Sequence, residues 1–243
     1  MSGKFVVVDG IDGIGKGVFL SALVEEAKKN GLRVFDVHEF WKEHDFHPDP
    51  QELIGNYDLV ITSEPTFIGI GKVIREEFIS RNNRHYSTEA IAQAYALDRM
   101  TLYQQLLIPL LKAGLHVFQS RSFSTSIIYQ RQSALDEGRE FSISEIMSIP
   151  GNAFCSRFPP DFLLIPTIKD VQEAVRRAEA RDKDDNCEFE NLAFQLKIKA
   201  HYESKEFQEL FANLGTELIY LDAGQTLEFS QQQAQEFYLK NFN

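Results

Sequence analysis

Cysteine is almost missing from this chain. Cys155 and Cys187 are the only two in 243 residues, and neither belongs to a CxxC pair. So little sulfur excludes a disulfide framework and a thiolate metal site, and fits thiols in a reducing compartment. Positive charge is scarce as well: 25 lysines and arginines face 36 aspartates and glutamates, for a formal net charge of −11. That balance argues against a partner such as a nucleic-acid polymer or an anionic membrane, both of which need basic surface. No apolar run reaches membrane-spanning length, and the short stretch ahead of the first motif has no room for a secretory segment, so a cytoplasmic location is expected. Internal repeats, low-complexity tracts and a GxSxG nucleophile motif are also lacking.

What the chain does have is alternation. Strand-like apolar runs near Lys4–Val8, Arg33–His38, Asp58–Thr62, Leu115–Gln119, Phe162–Pro166 and Glu217–Leu221 are separated by stretches of helical period. Those stretches lie near Lys16–Asn30, Gly69–Ser80, Ser87–Ala113, Ser124–Leu135, Ser142–Ile149, Lys169–Ala180, Glu190–Asn213 and Thr226–Asn241. Alternation of this kind predicts an α/β fold with a parallel sheet between helices, and residues 1–243 are long enough to enclose one core as one domain. Two segments depart from the pattern. Glu39–Tyr57 is polar and contains two prolines, so it reads as an extended loop or a short helical excursion; Arg181–Glu188 ("RDKDDNCE") has no apolar face and reads as a surface loop between helices.

The first strand-like run, "KFVVV", leads into "GIDGIGKG" and then a helical stretch. A strand, a GxxxxGK loop and a helix together form a phosphate cradle. Glycines let backbone N–H groups converge, the helix N-terminus adds partial positive charge, and Lys16 reaches the outer phosphates. Gly10, Ile11, Asp12, Gly13, Ile14, Gly15, Lys16 and Gly17 are therefore the candidate triphosphate-binding residues. Gly17 stands where the motif carries Ser or Thr, so the hydroxyl that normally coordinates Mg²⁺ is missing.

From this loop onward the order of motifs resembles the thymidylate kinase family. The matching segments are "DGIDGIGKG", "TSEPTFIGIGKVIRE", "AYALDR", "SRSFSTSIIYQ", "PDFLLI" and "RRAEARDKDDNCEFENLAFQLKIKAHY". The resemblance implies a three-layer α/β/α P-loop fold with a lid segment over 177–188, and Glu39–Tyr57 as an insertion. It implies ATP and Mg²⁺ as cofactors, dTMP or a related nucleoside monophosphate as acceptor, dTDP as product, and a homodimer packed through helices.

Individual roles follow from the same resemblance. Tyr95 matches an aromatic that stacks on thymine and Arg99 an arginine that contacts the base; residues four apart share a helix face, so a ring and a planar cation can line one pocket. By themselves, without the other motifs, Tyr95 reads as core and Arg99 as its solvated neighbour. Pro65 falls in the matching "EP" turn on the acceptor side. Arg121 matches the arginine on the acceptor's 5′-phosphate, while Ser126 and Gln130 match residues beside the base. Asp12 matches an acid near the sugar 3′-hydroxyl, although a turn-stabilising aspartate fits it too. Arg177 and Arg181 match lid arginines that stabilise charge on the transferred phosphoryl group, and Arg177 reads equally as a solvated helix charge.

Three positions depart from the family's pattern: Gly17, Ser120 in place of the aspartate of a "DR" pair, and Ser63 in place of the arginine of "REP". Asp9, just ahead of the loop, is the remaining candidate for the metal, through water. Two other readings therefore stand beside the kinase: a catalytically weakened nucleotide-binding or regulatory protein, and a kinase with another acceptor. The histidines of "HEFWKEHDFH" (His38, His44 and His47) match no standard zinc spacing and read as a polar loop.

Overall fold

The computed structural model describes residues 3–80, 83–180 and 191–242. In chain order these form β1 (Phe5–Val8), α1 (Lys16–Lys29), β2 (Val34–Asp36), α2 (Val37–Glu43), α3 (Pro50–Leu53), β3 (Leu59–Ser63), α4 (Gly69–Val73), α5 (Thr88–Leu102), α6 (Ile108–Lys112) and β4 (His116–Ser120). There follow α7 (Phe123–Asp136), α8 (Ile143–Ser148), α9 (Pro150–Cys155), β5 (Phe162–Thr167), α10 (Val171–Glu179), α11 (Leu192–Tyr202), α12 (Lys205–Asn213), β6 (Glu217–Asp222) and α13 (Leu227–Phe242). The six strands make one all-parallel sheet in the order β2-β3-β4-β1-β5-β6. The expected α/β architecture is thus observed.

Burial explains the order. β1 and β3 are buried along their whole length, as strands enclosed by helices on both faces must be, whereas the edge strands β2 and β6 stay partly exposed. With β1 between β4 and β5, the loop after β1 opens at the middle of the sheet's carboxyl edge, the position where open α/β sheets bind ligands.

Four stretches differ from the sequence expectation. The run Arg33–His38 is a strand only to Asp36, whose side chain accepts from the His38 N–H and starts α2. Glu39–Tyr57 does not differ: it contains helix, α3 included, with Asp49 capping it and Pro50 in its first turn, which is the short helical excursion of its two readings. The long helix Ser87–Ala113 runs through a π turn at Tyr103–Leu107, just ahead of Pro109, which has no N–H to give. Glu190–Asn213 divides between α11 and α12, where the Ser204 hydroxyl accepts from the Phe207 N–H. α9 was not anticipated, because Pro150 reads as a stop and instead occupies the first turn. No helix among the described residues is long and apolar enough to cross a membrane.

Candidate active site

The phosphate loop leaves β1 at Asp9 and winds into α1 through left-handed glycines, Gly13 (φ +74°) and Gly15 (φ +98°). Gly13 has a second reason to lack a side chain: a Cβ there would lie 1.8 Å from the Ala174 carbonyl oxygen on α10. Ile11 and Ile14 turn their side chains into the core, leaving the loop's backbone for a ligand. Lys16 Nζ lies across the loop, donating to the carbonyls of Gly10 (3.0 Å) and Ile11 (2.8 Å). Around Gly17 a Cβ would meet nothing within 4 Å.

Arg121 follows β4, beside this loop. Its backbone takes φ +66° and its N–H donates to the Val8 carbonyl at 3.0 Å. Its guanidinium donates to Asp12 and lies 5.5 Å over the Tyr129 ring. Burial works against the charge on Arg121, but the carboxylates of Asp12 and Asp9 outweigh it and hold the guanidinium well above the ordinary arginine value. Asp12 also accepts from the Tyr129 hydroxyl (3.0 Å) and is gripped by Gln195, which accepts from the Asp12 N–H at 2.9 Å and donates back at 3.3 Å. In the free protein the Asp12 carboxylate is therefore a counter-charge for Arg121.

Of the residues assigned to the acceptor base, Arg99 and Ser126 meet in a second cluster. Arg99 on α5 is fully enclosed; its Nε donates to Glu64 Oε2 at 2.6 Å, Nη2 to Ser126 Oγ at 2.9 Å and Nη1 to Asn152 Oδ1. Glu64 precedes Pro65 through a cis peptide bond and accepts from Gln119 Nε2 at 3.0 Å. The same Gln119 nitrogen donates to the Arg121 carbonyl at 2.8 Å, so the two clusters share a link. Burial pushes the Glu64 carboxyl up to about 7 against the pull of Arg99, and burial likewise raises Asp98, which accepts from the Thr66 N–H and hydroxyl. Gln130 is buried, and its Oε1 has no partner among the described residues, an acceptor open to a ligand. Tyr95 is half-buried on the same helix as Arg99.

Glu64, Asn152, Gln195, Ser124 and Thr125 were given no role by sequence reasoning. Gln195 falls within the quoted "AFQLKIKAHY", but only tertiary contact gives it a purpose. Arg75, inside the quoted "GKVIRE", was missed as well; it donates to the carbonyls of Thr66 (3.1 Å) and Pro65 (2.5 Å) and stacks 3.8 Å over Phe67. Arg177 is not drawn to the loop: it donates to Glu173 Oε1 (3.1 Å) and the Ala223 carbonyl (3.1 Å). Arg181 and most of the segment 177–188 lie outside the described residues.

Asp9 is fully buried, and both its oxygens are engaged. Oδ1 accepts from the Gly10 N–H at 2.8 Å, Oδ2 from the Ser124 hydroxyl, and the Thr125 hydroxyl bridges both at 2.8–2.9 Å. With Gly17 lacking an oxygen and only the Ser120 hydroxyl at the end of β4, these donors fit a Mg²⁺ carried by nucleotide phosphates and water, not one gripped by the protein. Among the described residues no group of three or more His, Cys, Asp or Glu side chains could hold a metal, His38, His44 and His47 included.

On the far side of β1, a cavity of about 780 Å³ opens beside β5 and β6, lined by Ile168, Asp170, Lys199, Glu203, Tyr220 and Gly224. Ile168, Lys199 and Glu203 also line a small cleft with Gly10 and Ile11, so the cavity adjoins the phosphate loop.

Comparison with known proteins shows the family and the fold. A thymidylate kinase from Exiguobacterium sp. (strain AT1b) is 26% identical over 241 residues, 99% of this chain and 96% of its own. A probable thymidylate kinase from Thermococcus onnurineus is 29% identical over 205 residues, 82% of each. The solved thymidylate kinase of Candida albicans has the same fold, with a TM-score of 0.65 at 19% identity over 99% of this chain and 92% of that one. The family model "Thymidylate kinase" matches residues 52–234, most of the chain, and the protein belongs to the thymidylate kinase family.

Proposed function

We propose that the protein transfers the γ-phosphate of ATP to dTMP, giving dTDP and ADP. The observation that carries this reading is the pairing, across β1 and β4, of a glycine-lined anion cradle with the Arg121–Asp12 pair and the enclosed Arg99–Ser126 pocket linked to it through Gln119 and Glu64. The residue roles below rest on that juxtaposition and on the family's motifs.

ATP lies with its phosphates in the Gly10–Gly17 loop and its nucleoside in the cavity beside β5 and β6. When they arrive, Lys16 leaves the Gly10 and Ile11 carbonyls, and the Asp12 carboxylate 3.6 Å away, for the outer phosphates, so its charge stays paired. Arg121 leaves Asp12 for the acceptor phosphate, a trade of one anion for another that keeps its charge paired. Asp12, then free of Arg121, accepts from the sugar hydroxyl. Tyr95, Arg99, Ser126 and Gln130 hold the base, with Pro65 shaping that side of the pocket. Mg²⁺ accompanying ATP neutralises and orients the phosphates. Arg177 and Arg181 stabilise the equatorial charge once the lid region closes and water is expelled. A single kinase domain, a homodimer packed through helices and a cytoplasmic setting complete the reading.

A coupled assay with ATP, Mg²⁺ and dTMP tests it. Turnover is expected, with Lys16→Ala lowering kcat roughly 100-fold or more. Tight dTMP binding without turnover at any metal concentration would favour a nucleotide-binding regulator instead, and a panel of nucleoside monophosphates identifies any other acceptor.

A further inference from the structure

Gln119 lies near the carboxyl end of β4, in register with Thr62 on β3 and Val7 on β1, and is fully buried. Its amide nitrogen gives away both of its hydrogens, one to Glu64 Oε1 at 3.0 Å and one to the carbonyl of Arg121, two residues on, at 2.8 Å. The amide oxygen has no partner among the described residues, so those two bonds alone orient the group. Packing does not account for a glutamine here, since a leucine would fill the place without burying an unpartnered oxygen. Arg121, in contrast, needs the support. Among the described residues it is the one non-glycine with a left-handed φ, +66°, a conformation in which Cβ crowds the backbone. The strand ends at Ser120; past it the Arg121 N–H still reaches the Val8 carbonyl at 3.0 Å, and the Arg121 carbonyl is taken by Gln119. With both flanks tied, the guanidinium projects onto Asp12 of the phosphate loop and over the Tyr129 ring.

We propose that Gln119 is the positioning residue for Arg121: by gripping the Arg121 carbonyl it holds the left-handed turn that aims the guanidinium at the acceptor's phosphate. The proposal rests on the kinase reading, which gives Arg121 its ligand, and adds to it the residue that presents the arginine. Arg121 exchanges Asp12 for the phosphate when the acceptor arrives, so its side chain moves while its backbone stays. A tie on the carbonyl survives that exchange, whereas a further tie on the guanidinium would compete with it. The second hydrogen, on Glu64, fixes the amide itself. Because Glu64 also accepts from Arg99 Nε at 2.6 Å, the support of the phosphate arginine is anchored on the residues of the base pocket.

The experiment measures the binding of dTMP, thymidine and ATP by calorimetry to the wild-type protein, Gln119→Met and Gln119→Asn. Methionine matches glutamine in length without its donors; asparagine keeps the amide but is one methylene too short to reach both acceptors. Loss of the bond to Arg121 predicts about tenfold weaker dTMP binding in both variants. Thymidine, which has no phosphate for Arg121, and ATP, which lies in the other half of the site, are expected to bind as in the wild type, and retained ATP binding shows that the variants are folded. The decisive comparison repeats Gln119→Met in an Arg121→Met background, where the remaining dTMP affinity is expected to be indifferent to Gln119, because the glutamine acts only through the arginine. The same loss in that background would overturn the proposal. So would equal weakening of dTMP and thymidine, which would make Gln119 a support of Glu64 and the base pocket, or unchanged dTMP affinity in a variant that binds ATP; each leaves the kinase assignment standing. Failure of the wild type itself to bind dTMP would remove both.

Discussion

Glu64 is enclosed between Arg99 and Gln119, and burial pushes its carboxyl up to about 7 against the attraction of the guanidinium 2.6 Å away. The two forms of this acid serve different ends. A carboxyl whose folded value exceeds its ordinary 4.5 binds its proton more tightly in the folded chain. Its contribution to stability is therefore fully present below about pH 4.5 and is lost as the pH rises through about 7. The ionised form, in contrast, is the stronger acceptor for Arg99, which the kinase reading puts against the base. Affinity for dTMP is thus expected to fall as the pH drops below about 7, and Glu64→Gln to flatten both that profile and the matching part of the thermal stability curve. Parallel pH profiles in the two proteins would show that Glu64 does not titrate in this range. Gly17 offers a second test. With open space around its Cβ position, Gly17→Ser is expected to fold normally and to lower the Mg²⁺ concentration giving half-maximal rate; an unchanged metal titration would mean that the hydroxyl has no role here.

At the scale of elements, the phosphate loop is held by what packs behind it. Gly13 approaches α10 so closely that a methyl group would strike the Ala174 carbonyl, and its φ of +74° penalises any side chain. Gly13→Ala is expected to cost about 2–3 kcal/mol. That corresponds to a fall in Tm of roughly 5–10 °C for a chain of this size. A melt unchanged from the wild type would contradict the observed contact. Elements were also where the sequence was most legible. All six strands lay within a residue or two of their expected places, because short apolar runs are local signals. β2 was over-extended because Asp36 reads as a strand residue until its cap on His38 is seen, and α9 was hidden by Pro150. The phosphate loop was readable for the same local reason. The ties that hold Arg99 were not: Asn152 is 53 residues away, and Glu64 35, so no spacing rule joins them. Nor could the sequence show that Arg177 would turn toward Ala223.

For the whole molecule, what matters is that one edge of one sheet carries the phosphate-side candidates in a row. The cavity beside β5 and β6 comes first, then the phosphate loop after β1, Arg121 after β4, and Glu64, which holds Arg99, just past β3. Strand order, not proximity in sequence, produces this line, since β4 is inserted between β3 and β1 and brings Arg121 to Asp12 across 109 residues. With neighbouring strands about 4.8 Å apart, the row from β5 to β3 spans about 14 Å. In the kinase reading a donor nucleotide entering over β5 and an acceptor entering over β3 approach each other end to end above β1, the arrangement that in-line transfer needs. A single ligand joining adenosine to thymidine through a phosphate chain is therefore expected to occupy both halves at once. Because its second end binds without a second loss of translational freedom, it should raise Tm more than ATP and dTMP together at the same concentration. Stabilisation no greater than that from ATP alone would mean that the two halves do not lie in line above β1.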